Sequence, residues 1–486
     1  MDGAEAEAIY DLGRDGCVEF ILDLANRFAR HEDRLNRLEE QARQDSRTSS
    51  RPPSMDPPKS RAQRRAEARA KAKELMRRER EQRKAGGQPG HRGAGRELRS
   101  EDQIDEIVDH YPERCGDCGR RFDDRHRRPS GRFGRHQVAE LPPISVTWTE
   151  HRTHQLRCRH CRSRTSAPLP GQVARSGFGP RLQAAVVTLT AAYRVSRRGV
   201  SELARDLFGA RLSVGTIDAI CQRASEALAG PHLQLQDWVL DQNAVHVDET
   251  GWRTRGAGRA LWTATTPQAV FLEIAEHCNR EQFNALIGTS YPGIVISDRW
   301  NGYSHLDPTR RQACWSHIKR DFRRHADGLA EQKTFGEQGV ELTRQVFAAW
   351  RDYQHEHHDR DQLNREIDPI QAELRALLEA ASPNSRRTRW HRQFANNLLK
   401  IWPALWTFAT LDGVEPTNNP AERALRAPVI HRKISLGTQS HNGERFAERA
   451  LSAAGTCRLQ HRSLFTYLSE LLSAHNRGDP FPALAT

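Results

Sequence analysis

Three acids stand where a chain would place metal ligands. Asp248 closes the apolar run of AVHVDET, and Asp298 follows GIVIS, so two strand-like segments each deliver a carboxylate as the apolar run stops. Strand ends are where an open sheet presents its ligands. If the two strands are neighbours, the carboxylates converge, and two anions held close need cations, which magnesium or manganese satisfies. Ions held in this way would activate water or a hydroxyl and stabilise the leaving oxygen of a phosphodiester. The competing reading makes both aspartates simple caps of turns or helices. Glu422 carries the same ambiguity. In Asn418-Asn419-Pro420-Ala421-Glu422, Asn419 fits an N-cap, Pro420 the first helical position and Glu422 the third, the pattern of a capping box. The basic residues that follow, Arg423, Arg426, Arg432 and Lys433, favour chemistry, because they would hold phosphates beside the acid. Spacing alone leaves both readings open.

A second constellation is made of thiols. Cys115-Gly-Asp-Cys118 and Cys158-Arg-His-Cys161 are two C-x-x-C pairs among nine cysteines, and four thiolates around one ion form a closed structural zinc site. The gap between the pairs is longer than in a simple ribbon, so the chain must fold back, which the alternating run ISVTW (144–148) and the turn signal RRPSGR predict. A redox pair is the rival use. Trp252, Trp300, Tyr303 and Trp315 lie near the acids in sequence, where aromatic rings either stack on unpaired bases or build core. Trp300 is the candidate for DNA contact.

The elements that must position these groups follow from composition and periodicity. With 486 residues and 37% hydrophobic composition, the chain has material for two to four domains. No apolar run is long enough to cross a bilayer and the acidic start is unlike a signal peptide, so the chain reads as cytosolic, with no membrane partner. The net charge is +13, and Gln41–Ser100 alone holds 18 Lys and Arg against 7 Asp and Glu. Such a block suits sequence-independent, salt-sensitive binding of nucleic acid; a solvated linker is the plainer account.

Residues 1–45 read as a helix whose apolar seam at Ile21, Leu24, Phe28, Leu35 and Leu38 suggests a coiled coil. A basic linker follows over 46–100, then the cysteine-bearing domain over 101–172. A helical region covers 173–235, where VSELARDLFGARLSVGTIDAICQRA has the length and central Gly209 of a helix-turn-helix. From 236 to 460 the texture is that of a mixed α/β sheet, interrupted by a helical insertion over about 330–412. Residues 461–486 form a last helix and tail.

Taken together, HVDETGWR, SDRWNGY, CWSHIKRDF, TNNPAERALR and HRKISLG resemble the insertion-sequence-66 family of DDE transposases. The resemblance implies a ribonuclease H-like catalytic domain with a helical insertion, preceded by a zinc-binding domain. It makes Asp248, Asp298 and Glu422 the metal-binding triad. It implies that water activated by magnesium cuts transposon-end DNA and that the freed 3′-hydroxyl attacks target DNA. Double-stranded DNA would be the partner of a homo-oligomer associated with the nucleoid, with accessory proteins in some elements. Trp300 and His431 depart from the family's pattern. Two rivals stand beside this reading: a catalytically silent, zinc-containing DNA-binding regulator, and a nuclease of the same fold that cuts without joining.

Overall fold

A computed structural model describes residues 11, 13–43, 97–123, 134–169, 173, 176–355, 358–383, 388 and 390–485. The basic linker expected over 46–100 and the break GGQPGHRGAG therefore lie outside the described residues, apart from 97–100. The chain divides into two units, Pro58–Ile144 and the remainder.

Helix α1 spans Gly13–Arg43 and leaves Ile21, Phe28, Leu35 and Leu38 of its seam exposed. In the smaller unit, the first cysteine pair sits on a tight knuckle. The Cys115 N–H donates to Arg120 O, the Gly119 N–H returns to Cys115 O, and Gly119 takes the left-handed φ of 69° that the turn needs. The second pair, in the larger unit, repeats this pattern. The Cys158 N–H donates to Ser163 O and the Arg162 N–H to Cys158 O, at the tip of a hairpin of β1 (Gln155–Arg157) and β2 (Arg164–Ser166). The strand expected over ISVTW does not form. Its residues have the alternation but no ladder; Trp148 is 80% exposed, so nothing rewards an extended pairing there.

Four helices follow: α2 (Pro180–Ala191), α3 (Arg197–Phe208), α4 (Val214–Ala227) and α5 (Ala229–Leu240). Ser196 and Ser213 cap α3 and α4 by accepting from the N–H groups of Gly199 and Thr216. Gly209 ends α3 in the left-handed conformation, as its place between two helical runs predicts. Ile217, Ile220, Cys221 and Ala224 recur at helical spacing and are all buried.

The sheet has the order β5-β4-β3-β6-β7, with β3 (Ala244–Thr254), β4 (Ala257–Thr265), β5 (Val270–Ala275), β6 (Ile294–Ser297) and β7 (Arg311–Ala313). The first three strands form an antiparallel meander, while β6 and β7 run parallel to β3. The parallel step is made through α6 (Arg280–Ile287), whose Phe283, Leu286 and Ile287 are buried. This is the mixed α/β arrangement expected from the strand-rich texture after residue 236.

Between β7 and the last helices lie α7 (Trp315–Ala326), α8 (Ala330–Gln354), α9 (Arg360–Ala381), α10 (Arg392–Lys400) and the short α11 (Thr407–Thr410). They enclose a second apolar core that reaches Ile296 and Ala313 of the sheet. Helices α7 and α8 approach closely because α8 lacks side chains at the contact. A Cβ on Gly339 would fall 2.0 Å from the Phe322 ring, and one on Gly336 would fall 2.1 Å from the Ala326 backbone. Helices α12 (Asn419–Ser435), α13 (His441–Leu459) and α14 (Leu464–Arg477) complete the chain. No described helix is long and apolar enough to cross a membrane.

Helix α13 also closes the open edge of the sheet. The outward N–H groups of Val270, Leu272 and Ile274 donate to Thr456 Oγ1, Ser452 Oγ and Glu448 Oε1 at 3.0, 2.9 and 2.7 Å. Side chains four residues apart on a helix thus serve backbone donors two apart on a strand, and the edge is withheld from other chains. Ser452→Val should leave the buried Leu272 N–H without an acceptor and cost about 1–3 kcal/mol. A lower denaturant midpoint with unchanged m-value is the expected result, and an unchanged midpoint would contradict this role.

Candidate active site

Strands β3 and β6 are parallel, with His246 opposite Ile296. Two residues further along that register, Asp248 comes level with Asp298 at the same end of the sheet. Each is half-buried, and each accepts one local backbone bond. The Glu249 N–H donates to Asp248 Oδ1 at 3.0 Å, and the Trp300 N–H donates to Asp298 Oδ1 at 2.8 Å. The cap geometry is therefore present, but it occupies a single oxygen of each carboxylate.

The electrostatics go beyond capping. Burial pushes Asp248 up to about 8, and repulsion from Glu249, Asp298 and Glu422 adds to it against the pull of the Glu249 N–H. Burial also pushes Glu249 up to about 7, although the Tyr303 hydroxyl donates to its Oε2 at 2.5 Å. Asp298 is raised by burial too, against the Trp300 N–H and the guanidinium groups of Arg311, Arg299 and Arg320. Carboxylates that resist ionisation together in this way form a place for a cation.

The third acid arrives on α12, one residue out of the expected phase. The N-cap is Asn418 rather than Asn419, Pro420 lies in the first turn, and no side-chain cap bond forms. The expected capping box is thus absent, because the Asn418 side chain is committed elsewhere: its Nδ2 donates to Val247 O at 2.8 Å. The Asn418 N–H donates to Cys314 Sγ at 3.1 Å, and the Cys314 N–H donates to Ser297 O at 2.9 Å. One fully buried asparagine therefore connects the residue before Asp248, the residue beside Asp298 and the helix bearing Glu422.

Glu422 Oε1 lies 3.6 Å from His317 Nδ1 and 3.5 Å from an Arg320 guanidinium nitrogen, and it is a buried oxygen without a hydrogen-bond partner. Burial, with Arg320 and Arg299 nearby, pushes His317 down to about 3, so the ring is neutral and can offer a lone pair. Ligand atoms of Cys314, His317 and Glu422 all lie within 4.8 Å of one another, as do those of Asp352, His358 and Glu366 on the helical insertion. Two half-buried aspartates and a glutamate oxygen without a hydrogen bond are a donor set of the kind a hard divalent ion takes.

The basic residues expected to touch DNA lie on α12. Arg423, Arg426 and Lys433 are exposed, while Arg432 is half-buried with its guanidinium 3.4 Å from Thr250 Oγ1. Trp300 is half-buried, packed 6.0 Å from the Trp262 ring and edge-on to Tyr303 at 5.3 Å. Trp252, Tyr303 and Trp315 are core. His431 stacks on Trp252 with ring centroids 6.4 Å apart. Of the cysteines, Cys161 is drawn down to about 7 by the Ser163 hydroxyl, and Cys115 is lowered by the Cys118 N–H.

Sequence reasoning assigned no role to Asn418, Glu249, Arg311 or His317, and left Tyr303 open between base stacking and core. Glu249 and Tyr303 lie inside the quoted motifs, and a second acid beside Asp248 was a readable signal. Asn418 had none, since its partners are 104 and 171 residues away.

Because Asp248 holds its proton up to about pH 8 without metal, an ion must displace that proton to bind. A raised carboxylate pKa penalises the ionised folded state above the ordinary carboxylate range, and the ion removes that penalty. Magnesium should therefore raise the melting temperature more at pH 8.5 than at pH 6.5, with apparent affinity weakening about tenfold per pH unit below 8. Equal magnesium shifts at both pH values would contradict the burial of this acid.

Residues 175–445 match the model described as the Transposase IS66 family, and residues 4–97 match a Family of unknown function (DUF6444). The Uncharacterized protein y4hP of Sinorhizobium fredii (strain NBRC 101917 / NGR234) is 22% identical over 359 residues, which is 65% of this chain. The matched part spans 63% of that protein's length. The first family match covers more than half of the chain and contains the sheet, the three acids and the helices between them, so this protein belongs to the Transposase IS66 family.

Proposed function

We propose that this chain is a transposase that cuts DNA at the ends of its element and transfers the freed strands into target DNA, using divalent ions held by Asp248, Asp298 and Glu422. The observation that supports it most is that the parallel register of β3 and β6 sets Asp248 level with Asp298, both raised by burial, while Asn418 fixes the start of the helix that carries Glu422 against the same strand. When bound, magnesium or manganese would supply an activated water or hydroxyl and charge stabilisation at the leaving oxygen. The chain's own work is to fix the three carboxylates before DNA arrives and to exclude bulk water around them. Arg423, Arg426, Arg432 and Lys433 hold phosphates on the same helix, and Trp300 offers its open edge to the strand.

Further parts of the proposal rest on their own observations. An antiparallel meander continued by two parallel strands, with the third acid on a later helix, supports a ribonuclease H-like catalytic domain over 236–460. Two knuckles with lowered thiols support a zinc ion shared by Cys115, Cys118, Cys158 and Cys161. The exposed seam of α1 supports pairing between copies of the chain on DNA. Helices α3 and α4 and the basic 46–100 stretch would add contacts to double-stranded DNA. A silent regulator would keep the zinc and helical parts without retaining acids whose burial costs stability, and that cost argues for catalysis.

Asp298→Ala should abolish magnesium-dependent cleavage of a supercoiled plasmid carrying the DNA that brackets the gene, with binding of that DNA retained within about threefold. Cleavage that survives the substitution refutes the triad. Cleavage without strand transfer by the unaltered protein would make it a nuclease instead. Purified full-length protein should contain one zinc per chain, lost on Cys161→Ser. Zinc-free, folded protein would remove the four-cysteine site.

A further inference from the structure

A cavity of about 380 Å³ lies between the helical insertion and the start of α12, and of its lining only Arg423 has been given a role above. Lys319 of α7, Arg344 and Arg351 of α8 and Arg423 of α12 bring four cations to it, against the single carboxylate of Glu415. Its apolar wall is Phe347 and Trp350, one helical turn apart on α8.

Three features point to what fills it. The charge is strongly positive and only partly neutralised from within. Arg344 is held by Glu341 at 2.6 Å, whereas Arg351 and Arg423 make no ion pair among the described residues. The rings are half-buried and anchored from behind: Trp350 packs 5.3 Å from Tyr353 and edge-on to Phe408 at 5.6 Å, and the Lys319 ammonium lies 5.6 Å over Phe347. The volume is at the lower end of the roughly 300–1,000 Å³ typical of small-ligand sites, too small for a duplex. A compact anion with a flat, stackable part meets all three conditions. Asn419 and Arg423 also line the cavity, from the helix that carries Glu422.

We propose that this cavity takes a single unpaired nucleotide of the DNA strand being processed, its phosphate on Arg351, Arg423 and Lys319 and its base against Trp350 and Phe347. Glu415 would accept from an amino or imino group on the base edge. Stacking and phosphate contacts of this kind hold unpaired strands without sequence preference. The inference deepens the transposase reading and rests on it for the source of the strand, but binding can be read without any cleavage.

The test is photo-crosslinking of full-length protein, in EDTA, to an oligothymidylate carrying one 5-iodouracil, followed by peptide mapping. The expected crosslink falls on Phe347 or Trp350, and its yield drops at least fivefold in Arg351→Glu, an exposed position whose change leaves the fold intact. A millimolar excess of free thymidine monophosphate should leave the crosslink in place. A crosslink confined to other aromatic residues, or a yield unchanged in Arg351→Glu, overturns the proposal. Displacement by the free nucleotide at micromolar concentration also overturns it, making the cavity a site for a soluble nucleotide. Failure of the Asp298→Ala prediction would leave this crosslink unmoved, so the two readings fail separately.

Discussion

The arrangement of the acids depends on one buried side chain, Asn418. A carboxylate on a helix can serve two carboxylates on a sheet only if the helix start is fixed against both strands. Asn418 does this with a side-chain bond to Val247 and a backbone bond to the sulfur of Cys314, itself bonded to Ser297. In a buried setting each such bond matters chiefly because breaking it strands the partner away from water. The neighbouring His246 is kept neutral by burial, pushed down to about 4 against the opposing pull of Asn418, so the tether sits among groups that carry no competing charge.

Around that tether, charge is distributed with a consistent logic. Burial holds the Asp248 and Asp298 carboxyls above the ordinary carboxylate range. The cations nearest to them point elsewhere: Arg311 bonds the backbone carbonyls of Asp298 and Tyr303, and Arg299 pairs with Asp321. Arg320, near Glu422, is the exception. Arg311 and Arg299 support the shape of the loop after Asp298, and their charges, with that of Arg320, pull the Asp298 carboxyl down against burial.

Much of this was readable from residues, for physical reasons that differ by element. The strands after 236 were legible because their apolar runs are short and bounded by turn residues; Asp298 does follow the end of β6, whereas β3 continues past Asp248 to Thr254 because it pairs along its length with β4. The start of α12 was misread by one residue: Asn419 satisfies local capping rules, and only a long-range partner for Asn418 shifts the boundary. ISVTW was misread as a strand because alternation says nothing about whether a partner strand exists. The cavity at Trp350 was invisible, since its lining comes from α7, α8 and α12. Trp252, Tyr303 and Trp315 were placed near the acids by sequence but turned out to be core, as burial of large rings usually decides.

Membership of the Transposase IS66 family implies use of a divalent metal, and the proposed holders are Asp248, Asp298 and Glu422. That account is tested most directly by anomalous diffraction from crystals of the full-length protein grown with manganese. Manganese scattering bounded by Asp248, Asp298 and Glu422, and lost in Asp248→Asn, is the predicted result. Manganese found only at Asp352, His358 and Glu366, with none among the three acids, would contradict it.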